Sequence, residues 1–233
     1  MLFCGDCSSQ KAKGIVLLCP GGGFEWLSER EGEIIAPFFE RAGWLPAVVN
    51  YSVFTGKPLG TVPLHQLAEA VSLTRKLFPG RCVVAAGFSA GGHVACSLGV
   101  HYKTLALEAP DALVLGYPVI TAGPYTHEKT IKNLAGWGDK SFFSLENFVT
   151  SDMPPTFLWH TVTDCDVPVQ NSLLLAGAMA KAHVPFELHL FPWGVHGLSL
   201  AVPEVDDPAK GRVADEHIAR WFSLCLEWLD RIK

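Results

Sequence analysis

Six apolar runs of strand length, separated by segments with helical spacing, constrain the fold of this chain more than any other feature. The runs are nearly continuous in apolar residues, which is typical of strands that are covered on both faces. They lie at residues 14–19, 45–50, 82–88, 112–117, 156–160 and 186–191. Such an order of strands and helices predicts a mainly parallel, three-layer α/β sheet with right-handed crossovers.

Three of the intervening segments place apolar residues three and four positions apart, so each predicts a helix that packs on the sheet. The first follows Pro63 and the second follows Pro168, where proline suits the first helical turn. The predicted faces are Leu64, Leu67, Val71, Thr74 and Phe78; Val169, Leu173, Ala176 and Met179; and Ala214, Ile218, Trp221, Cys225, Trp228 and Ile232. The least regular segment, 118–155, is expected to be functional or to carry short helices of its own.

The size and composition of the chain predict one domain over residues 1–233. Of these 233 residues, 49% are hydrophobic, which is enough for a substantial core. The net charge is −5 and the basic residues are scattered, which argues against a nucleic-acid or anionic-membrane partner and favours a small molecule. No apolar run could cross a bilayer and no secretory signal precedes the first strand, so we expect a cytoplasmic location. The oligomeric state is left open.

The seven cysteines do not predict disulfides, because their number is odd and most of them lie within apolar patterns. The residues expected to be buried thiols are Cys19, Cys82, Cys96 and Cys225. Cys4 and Cys7 form one CxxC pair, but no second pair or suitably spaced histidine completes a zinc site. No metal and no other cofactor is predicted.

The segment GFSAGG places Ser89 where an apolar run ends and a helical pattern begins. A chain that passes from strand to helix through one serine must turn sharply, and glycines at 87 and 91 relieve the crowding of such a turn. GFSAG matches GxSxG, the nucleophile elbow of hydrolases. The alternative is a tight glycine turn with an incidental serine.

A serine hydroxyl needs a base to accept its proton, and histidine is the side chain best suited to this. Of the nine histidines, His196 is the preferred candidate because FPWGVHG places it in a glycine-bounded loop directly after the last apolar run. His93, His160 and His189 lie within predicted strands or helices, so we expect them to be packed or capping residues.

An acid should follow another strand so that it can orient the imidazole. The sequence HTVTDCDVP offers Asp164 and Asp166. Asp164 is preferred, since Asp166 precedes Val167 and Pro168 and would favourably meet a helix N-terminus. The order Ser89, Asp164, His196 is the chain order used by α/β hydrolases.

Donors for a developing oxyanion are predicted in CPGGGFEW, after the first apolar run. Its glycine amides can face a ligand without obstruction by side chains. Gly22 and Gly23, together with the amide of Ala90, are the candidates. The alternative is a flexible glycine turn.

In combination, PGGGFEWLSEREGE, NY, GFSAGGHVA, PPTFLWHTVTDCDVPVQNSL and HGL resemble the small, lidless α/β hydrolases of the acetyl esterase and acetylxylan-esterase-like, xylanase-associated family. The resemblance spans about residues 14 to 230. It implies ester hydrolysis through an acyl enzyme with Ser89, Asp164 and His196, and it favours Asp164 because the family acid commonly stands in DxxVP. Many relatives have histidine before the glycines, where this chain has Pro20.

The leading hypothesis is therefore a serine esterase that removes a short acyl group, acetyl above all, from a small-molecule ester such as an acylated sugar. Candidate substrate contacts are Phe24, Trp26, Trp137, Phe142 and Trp193, although aromatic residues are more often part of a core. An amide hydrolase of the prolyl oligopeptidase or formamidase type is the alternative, because the same triad cleaves both bonds. A non-catalytic binding protein on the same scaffold is the third reading.

Overall fold

The computed structural model describes residues 2–3, 12–136 and 138–232. Its strands are β1 (Leu2–Phe3), β2 (Ile15–Cys19), β3 (Leu45–Val48), β4 (Val83–Phe88), β5 (Ala112–Gly116), β6 (Thr156–Thr161) and β7 (Phe186–Phe191). The α-helices are α1 (Ala36–Arg41), α2 (Val62–Leu77), α3 (Ala90–His101), α4 (Glu128–Ala135), α5 (Gln170–Lys181) and α6 (Glu216–Arg231). The six apolar runs of the sequence agree with β2 to β7 within two residues at either end.

The seven strands form one sheet in the order β1-β3-β2-β4-β5-β6-β7. Strands β2 to β7 are parallel, whereas β1 pairs antiparallel with β3. Cys19 at the end of β2 lies opposite Gly87 near the end of β4. Because the parallel strands end at one edge of the sheet, the loops that follow them are brought together there.

Two apolar cores cover the two faces of the sheet. One contains Leu17, Leu67, Leu98 and Met179, which come from β2, α2, α3 and α5. The other contains Leu18, Phe39, Val84, Trp221 and Leu229, which come from β2, α1, β4 and α6. The fold is thus the predicted three-layer α/β sandwich, with the alternate side chains of each interior strand packed on opposite layers.

Helix α5 and the residue before it bury three of the four residues of the predicted face, Val169, Ala176 and Met179, but not the fourth. Leu173 is 46% exposed, so its prediction as a core residue is wrong, whereas Asn171 and Ser172 are fully buried. The amide oxygen of Asn171 accepts hydrogen bonds from the backbone amides of Ile120 and Thr121, at 2.8 and 3.1 Å. Asn171 is thus buried because it satisfies backbone groups of a neighbouring loop, and the Ser172 hydroxyl lies 2.7 Å from Nδ1 of His160 in β6.

Four further expectations concern the ends of elements, the irregular segment and the cysteines. Ala214 is exposed and precedes α6, so it does not belong to that helix face. Segment 118–155 contains α4 and two 3-10 helices, Ser141–Phe143 and Leu145–Phe148. Cys19, Cys96 and Cys225 are buried free thiols and Cys82 is half-buried. Cys4 and Cys7 lie outside the described residues.

In the described ranges, no helix has the length and apolar character needed to cross a membrane.

Candidate active site

Ser89 lies on a strained turn between β4 and α3. Its φ of 53° and ψ of −118° lie in a region that residues other than glycine rarely adopt. The amide of Ser89 donates to the carbonyl of Gly116, at 3.0 Å. A Cβ atom at Gly91 would come within 1.9 Å of the Cys19 carbonyl oxygen, and one at Gly87 within 2.3 Å of the Gly91 carbonyl oxygen. Both glycines of GFSAG are therefore required by close backbone approach.

Ser89, His196 and Asp164 form one hydrogen-bonded chain. The distance from Ser89 Oγ to His196 Nε2 is 2.8 Å, and that from His196 Nδ1 to Asp164 Oδ2 is 2.7 Å. Asp164 follows β6 and His196 follows β7, so both side chains reach Ser89 from the same edge of the sheet. An ionised carboxylate can only accept, so Nδ1 carries the imidazole proton and the lone pair of Nε2 faces the serine hydroxyl.

The carboxyl group of Asp164 is buried and heavily hydrogen bonded. Its burial alone would raise its pKa, but hydrogen bonds from His160 and His196 outweigh that effect and hold the pKa of Asp164 well below its usual range. Its Oδ1 also accepts from the amides of Asp166 and Val167, at 3.0 and 2.9 Å. Asp164 is therefore ionised at neutral pH, whereas Asp166, the other candidate, has an exposed side chain at the wall of the cavity described below.

His160 is fully buried, as expected of a packed histidine, and it is also a second neighbour of Asp164. Its Nδ1 lies 2.7 Å from Ser172 Oγ, and its Nε2 lies 2.9 Å from the Val167 carbonyl oxygen and 3.4 Å from Asp164 Oδ2. Since a carbonyl oxygen only accepts, Nε2 carries a proton. The sequence analysis missed the contact with Asp164, although the position of His160 at the end of a predicted strand was a signal for it.

His93 and His189 also lie in packed positions. His93 is buried in α3, its Nδ1 lies 3.1 Å from the Val119 carbonyl oxygen, and burial lowers its pKa to about 4. His189 lies in β7 and its Nε2 is 2.7 Å from Glu187 Oε1. Within the described part of the chain, neither imidazole is hydrogen bonded to the Ser89 side chain, and His93 reaches Ser89 through its backbone amide, which donates to the Ser89 carbonyl at 3.2 Å.

The glycine loop after β2 adopts backbone conformations that favour glycine. Gly22 and Gly23 have φ angles of 122° and 63°, and a Cβ atom at Gly22 would come within 2.1 Å of the Trp26 carbonyl oxygen. Among the described residues, no acceptor is hydrogen bonded to the amides of Gly22 and Gly23. The hydroxyl of Tyr51, from the NY motif, donates to the Pro20 carbonyl and holds the start of the loop. Ala90 is buried as the first residue of α3.

A cavity of about 520 Å³ opens above the serine and its histidine. Ser89, His196, Gly22 and Gly23 line it together. Its charged lining consists of Glu25, Glu29, Arg30, Glu31, Lys129, Asp166, Asp207, Lys210 and Arg212. Trp26 and Leu27 are its apolar lining side chains. The cavity therefore suits a polar, hydrogen-bonding molecule better than an extended apolar one.

Trp26 is the one predicted aromatic contact that lines this cavity among those described. It is 54% exposed, and Lys210 Nζ lies 5.9 Å from the centre of its ring. Trp137 lies outside the described residues.

The other described aromatic candidates, Phe24, Phe142 and Trp193, do not line this cavity. Phe24 is fully buried and packs edge-on against Tyr51 with ring centroids 5.7 Å apart, because it fills the core under the glycine loop rather than the cavity. Trp193 is 76% exposed and is not among the residues that line the cavity. Phe142 is half-buried and stacks on His101 at 4.0 Å.

Four residues around the site were missed by the sequence analysis: Arg30, Glu31, Tyr117 and Arg212. Arg30 donates to the Gly197 carbonyl and Arg212 to the His196 carbonyl, both at 2.8 Å. Glu31 is hydrogen bonded to the glycine loop. Tyr117 was already placed at the end of an apolar run, which was a usable signal, whereas nothing in LSEREGE distinguishes a buried glutamate from an exposed one.

A nucleophile elbow at the carboxyl edge of a parallel sheet, beside a histidine and a glycine loop, defines the class of α/β hydrolases. The model of the prolyl oligopeptidase family matches residues 58–229, and the chain belongs to that family. It is an enzyme of the hydrolase and esterase type.

Individual relatives agree with this class. The chain is 37% identical over 209 residues to endo-1,4-β-xylanase B of Butyrivibrio fibrisolvens, over 81% of this chain but 33% of that protein. It thus spans about a third of the length of that relative. An acetyl ester-xyloside bifunctional hydrolase from Caldicellulosiruptor lactoaceticus superposes with a TM-score of 0.84 and 36% identity, covering 97% of this chain and 85% of the other. A carboxylesterase from Lactobacillus plantarum superposes with a TM-score of 0.83 and 31% identity, covering 97% and 88%.

Proposed function

We propose that this chain hydrolyses short acyl esters, acetyl esters above all, with Ser89 as nucleophile, His196 as base and Asp164 as orienting acid. The observation that carries the proposal is the hydrogen-bonded chain from Ser89 Oγ through His196 to Asp164, at 2.8 and 2.7 Å. Distances of this length allow a proton to pass from the hydroxyl to the imidazole as the bond to carbon forms.

In the first half of the reaction, Ser89 Oγ attacks the ester carbonyl carbon while His196 Nε2 takes the hydroxyl proton. The ionised carboxylate of Asp164 stabilises the imidazolium that results. The tetrahedral intermediate then expels the alcohol, which takes the proton from His196, and an acetyl group remains on Ser89.

The oxyanion of the intermediate is assigned to the amides of Gly22, Gly23 and Ala90. The first two amides have no acceptor among the described residues and line the same cavity as Ser89. Ala90 directly follows the nucleophile, where hydrolases of this class place a donor. Such donors act most strongly when they are fixed before the charge develops.

In the second half, water replaces the alcohol. His196 takes a proton from that water, hydroxide adds to the acetyl carbon, and the intermediate collapses to acetate with return of the proton to Ser89 Oγ. All of these steps use the chain's own residues.

The nature of the cavity supports a short acyl group and a polar alcohol. Its charged and polar lining can hydrogen bond several hydroxyls, and the exposed ring of Trp26 offers an apolar surface for the face of a sugar. Trp26 and Leu27 are the apolar side chains among the described lining residues, and the small number of such side chains favours a short acyl group. A sugar acetate also fits the names of the xylanase and of the acetyl ester-xyloside hydrolase that the chain resembles.

An amide hydrolase is a second candidate, because the family model that matches residues 58–229 is that of the prolyl oligopeptidases. The same three side chains would act on a peptide carbonyl. The two candidates differ in the leaving group and not in the nucleophile.

The experiment compares hydrolysis of p-nitrophenyl acetate, butyrate and octanoate, of an acetylated xylo-oligosaccharide, and of aminoacyl and formyl anilides. We expect acetate to be the fastest p-nitrophenyl ester and the acetylated sugar to be a substrate. A fluorophosphonate probe should label the wild-type protein and not Ser89→Ala. Ser223→Ala, an exposed serine of α6, is the matched control and should be labelled normally. Anilide turnover above that of every ester would favour the amide hydrolase, and an unlabelled wild-type protein would refute both candidates.

A further inference from the structure

Glu31 is a buried acid that the proposed reaction does not use. It is 3% exposed and lies in the 3-10 helix Glu29–Glu31. Its Oε2 accepts from the Gly21 amide at 2.9 Å, and its Oε1 accepts from the Tyr117 hydroxyl at 2.6 Å. A buried carboxylate lowers the stability of a fold unless hydrogen bonds compensate it. The two groups that donate hydrogen bonds to Glu31 therefore indicate the role of its side chain.

The first donor belongs to the glycine loop. Gly21 immediately precedes Gly22 and Gly23, whose amides are the proposed oxyanion donors. A Cβ atom at Gly21 would come within 2.6 Å of Glu31 Oε2 and within 3.0 Å of Ser89 Cβ. The loop is thus fixed between the carboxylate on one side and the nucleophile on the other.

The second donor belongs to the side of the site that holds His196. The ring of Tyr117 packs edge-on against the imidazole of His196, with centroids 5.1 Å apart and an angle of 75°. The Tyr117 hydroxyl also accepts from the Ser199 amide at 2.9 Å. Burial, reinforced by the charge of Glu31, raises the pKa of Tyr117 well above its usual range, so the hydroxyl keeps its proton and donates it to Glu31.

The neighbouring residue, Arg30, ties the same helix to the histidine loop a second time. Its guanidinium donates to the Gly197 carbonyl at 2.8 Å and to the Val205 carbonyl at 2.6 Å. Its own carbonyl accepts from the Ser199 hydroxyl. Two consecutive residues of one helical turn are therefore bonded to both loops that must meet Ser89.

We propose that Glu31 is a positioning residue. Through Gly21 and Tyr117 it holds the glycine loop and the ring of His196 in the positions that they need beside Ser89. The inference rests on the proposed function. Although Glu31 belongs to the cavity wall, it is 3% exposed and both of its oxygens already accept hydrogen bonds, so its proposed role is to place other groups and not to contact the substrate or transfer a proton.

The test measures esterase kinetics and tetrahedral-adduct affinity in Glu31→Gln and Tyr117→Phe. Glutamine keeps the shape of the side chain but replaces one acceptor oxygen by a donor, so either Gly21 or Tyr117 faces a second donor. We expect kcat on p-nitrophenyl acetate to fall about tenfold to a hundredfold, because small misplacements of reacting groups have effects of that size. KM should change by less than about threefold, as expected when mainly transition-state interactions are lost.

The affinity for a trifluoromethyl ketone that adds to Ser89 distinguishes a positioning role from a role in stability alone. A residue that only stabilises the fold would leave this affinity unchanged in folded protein. Its inhibition constant should rise by the factor by which kcat/KM falls, because the adduct carries the oxyanion. The double variant Glu31→Gln/Tyr117→Phe should lose no more than the worse single variant, since both act on one path. If Glu31→Gln cannot be obtained folded, Tyr117→Phe carries the same expectation.

Glu33→Gln is the matched control, because Glu33 is exposed and lies two residues away outside the cavity lining. It should behave as the wild type. An unchanged kcat in Glu31→Gln, or an unchanged ketone affinity beside a lower kcat, would overturn the positioning role. A failure of the proposed function would appear differently, as a wild-type protein that neither hydrolyses esters nor binds the ketone.

Discussion

His160 and His196 contact the same oxygen of Asp164, yet they lie in different surroundings. His196 Nδ1 is 2.7 Å from that oxygen, and its other nitrogen faces Ser89 at the floor of the cavity. His160 Nε2 is 3.4 Å away, and both of its nitrogens are occupied by buried partners. A carboxylate neighbour therefore does not by itself make a histidine a base. A free lone pair directed at the substrate side is also needed.

The largest effect should come from His196→Ala. Without a base, Ser89 keeps its proton, and kcat for p-nitrophenyl acetate should fall by a factor on the order of 10⁵ to 10⁶. Discontinuous assays with purified, folded protein measure this kcat. Residual binding of the substrate shows that the cavity is intact. A loss below about a hundredfold would show that another group serves as base and would break the contrast between the two histidines.

A smaller but still large effect should come from Asp164→Asn. The amide keeps the shape of the carboxylate but can donate to His196, which favours the tautomer whose Nε2 carries the proton and cannot accept from Ser89. We expect kcat to fall about 10⁴-fold. Asp166→Asn is the matched control, since its side chain is exposed and has no described hydrogen bond to His196. Equal losses in both variants would contradict the assignment of Asp164 as the acid.

The smallest effect on turnover should come from His160→Gln, which should act mainly on stability. The buried Ser172 hydroxyl and Val167 carbonyl lose well-placed partners, so the free energy of unfolding should fall by about 1 to 3 kcal/mol. Activity should fall no more than about tenfold, because His196 and Asp164 keep their contact. Urea unfolding at neutral pH measures the first quantity and steady-state kinetics the second.

His160→Gln should also change how the stability of the protein depends on pH in acid. The pKa of Asp164 is depressed in the folded state, so its contribution to stability is complete above its unfolded value of about 3.9 and is lost as the pH falls through the folded value. Removing the His160 donor should bring the folded pKa closer to the unfolded one. The decrease in unfolding free energy below about pH 4 should then be shallower in His160→Gln than in the wild type. A steeper decrease would mean that His160 does not lower this pKa.

The strands of the sheet could be predicted from sequence because each is a short apolar run with clear ends. Of these strands, β7 was expected to be covered on both faces but is mostly half-buried, because it lies at the sheet edge. Periodicity misplaced Leu173, since it cannot detect that the neighbouring Asn171 and Ser172 are buried by hydrogen bonds to the backbone of Ile120 and to the side chain of His160. The single-domain organisation and the cytoplasmic location stay predictions.

Some residues of the candidate site could likewise be predicted from the sequence and others could not. Ser89, Asp164 and His196 stand beside strand ends in recognisable local patterns, so the sequence places them at one edge of the sheet. Glu31 and Phe24 have no such pattern, because their burial depends on which loops fold over them. Burial of Phe24 and exposure of Trp193 follow from tertiary packing that aromatic character alone does not reveal.

The wall of the cavity comes largely from segments outside the sheet, among them residues 25–31, 127–129 and 207–212. Its floor, by contrast, is built from strand ends and tight glycine contacts that tolerate little change. The wall is not independent of the floor, because Arg30, Glu31 and Arg212 bond to the histidine loop or the glycine loop, whereas the side chains of Trp26, Lys129 and Lys210 have no described hydrogen bond to the histidine loop or to the glycines of the glycine loop. Randomising Trp26, Lys129 and Lys210 should therefore change which ester alcohols the cavity accommodates without altering Ser89, His196 or Asp164.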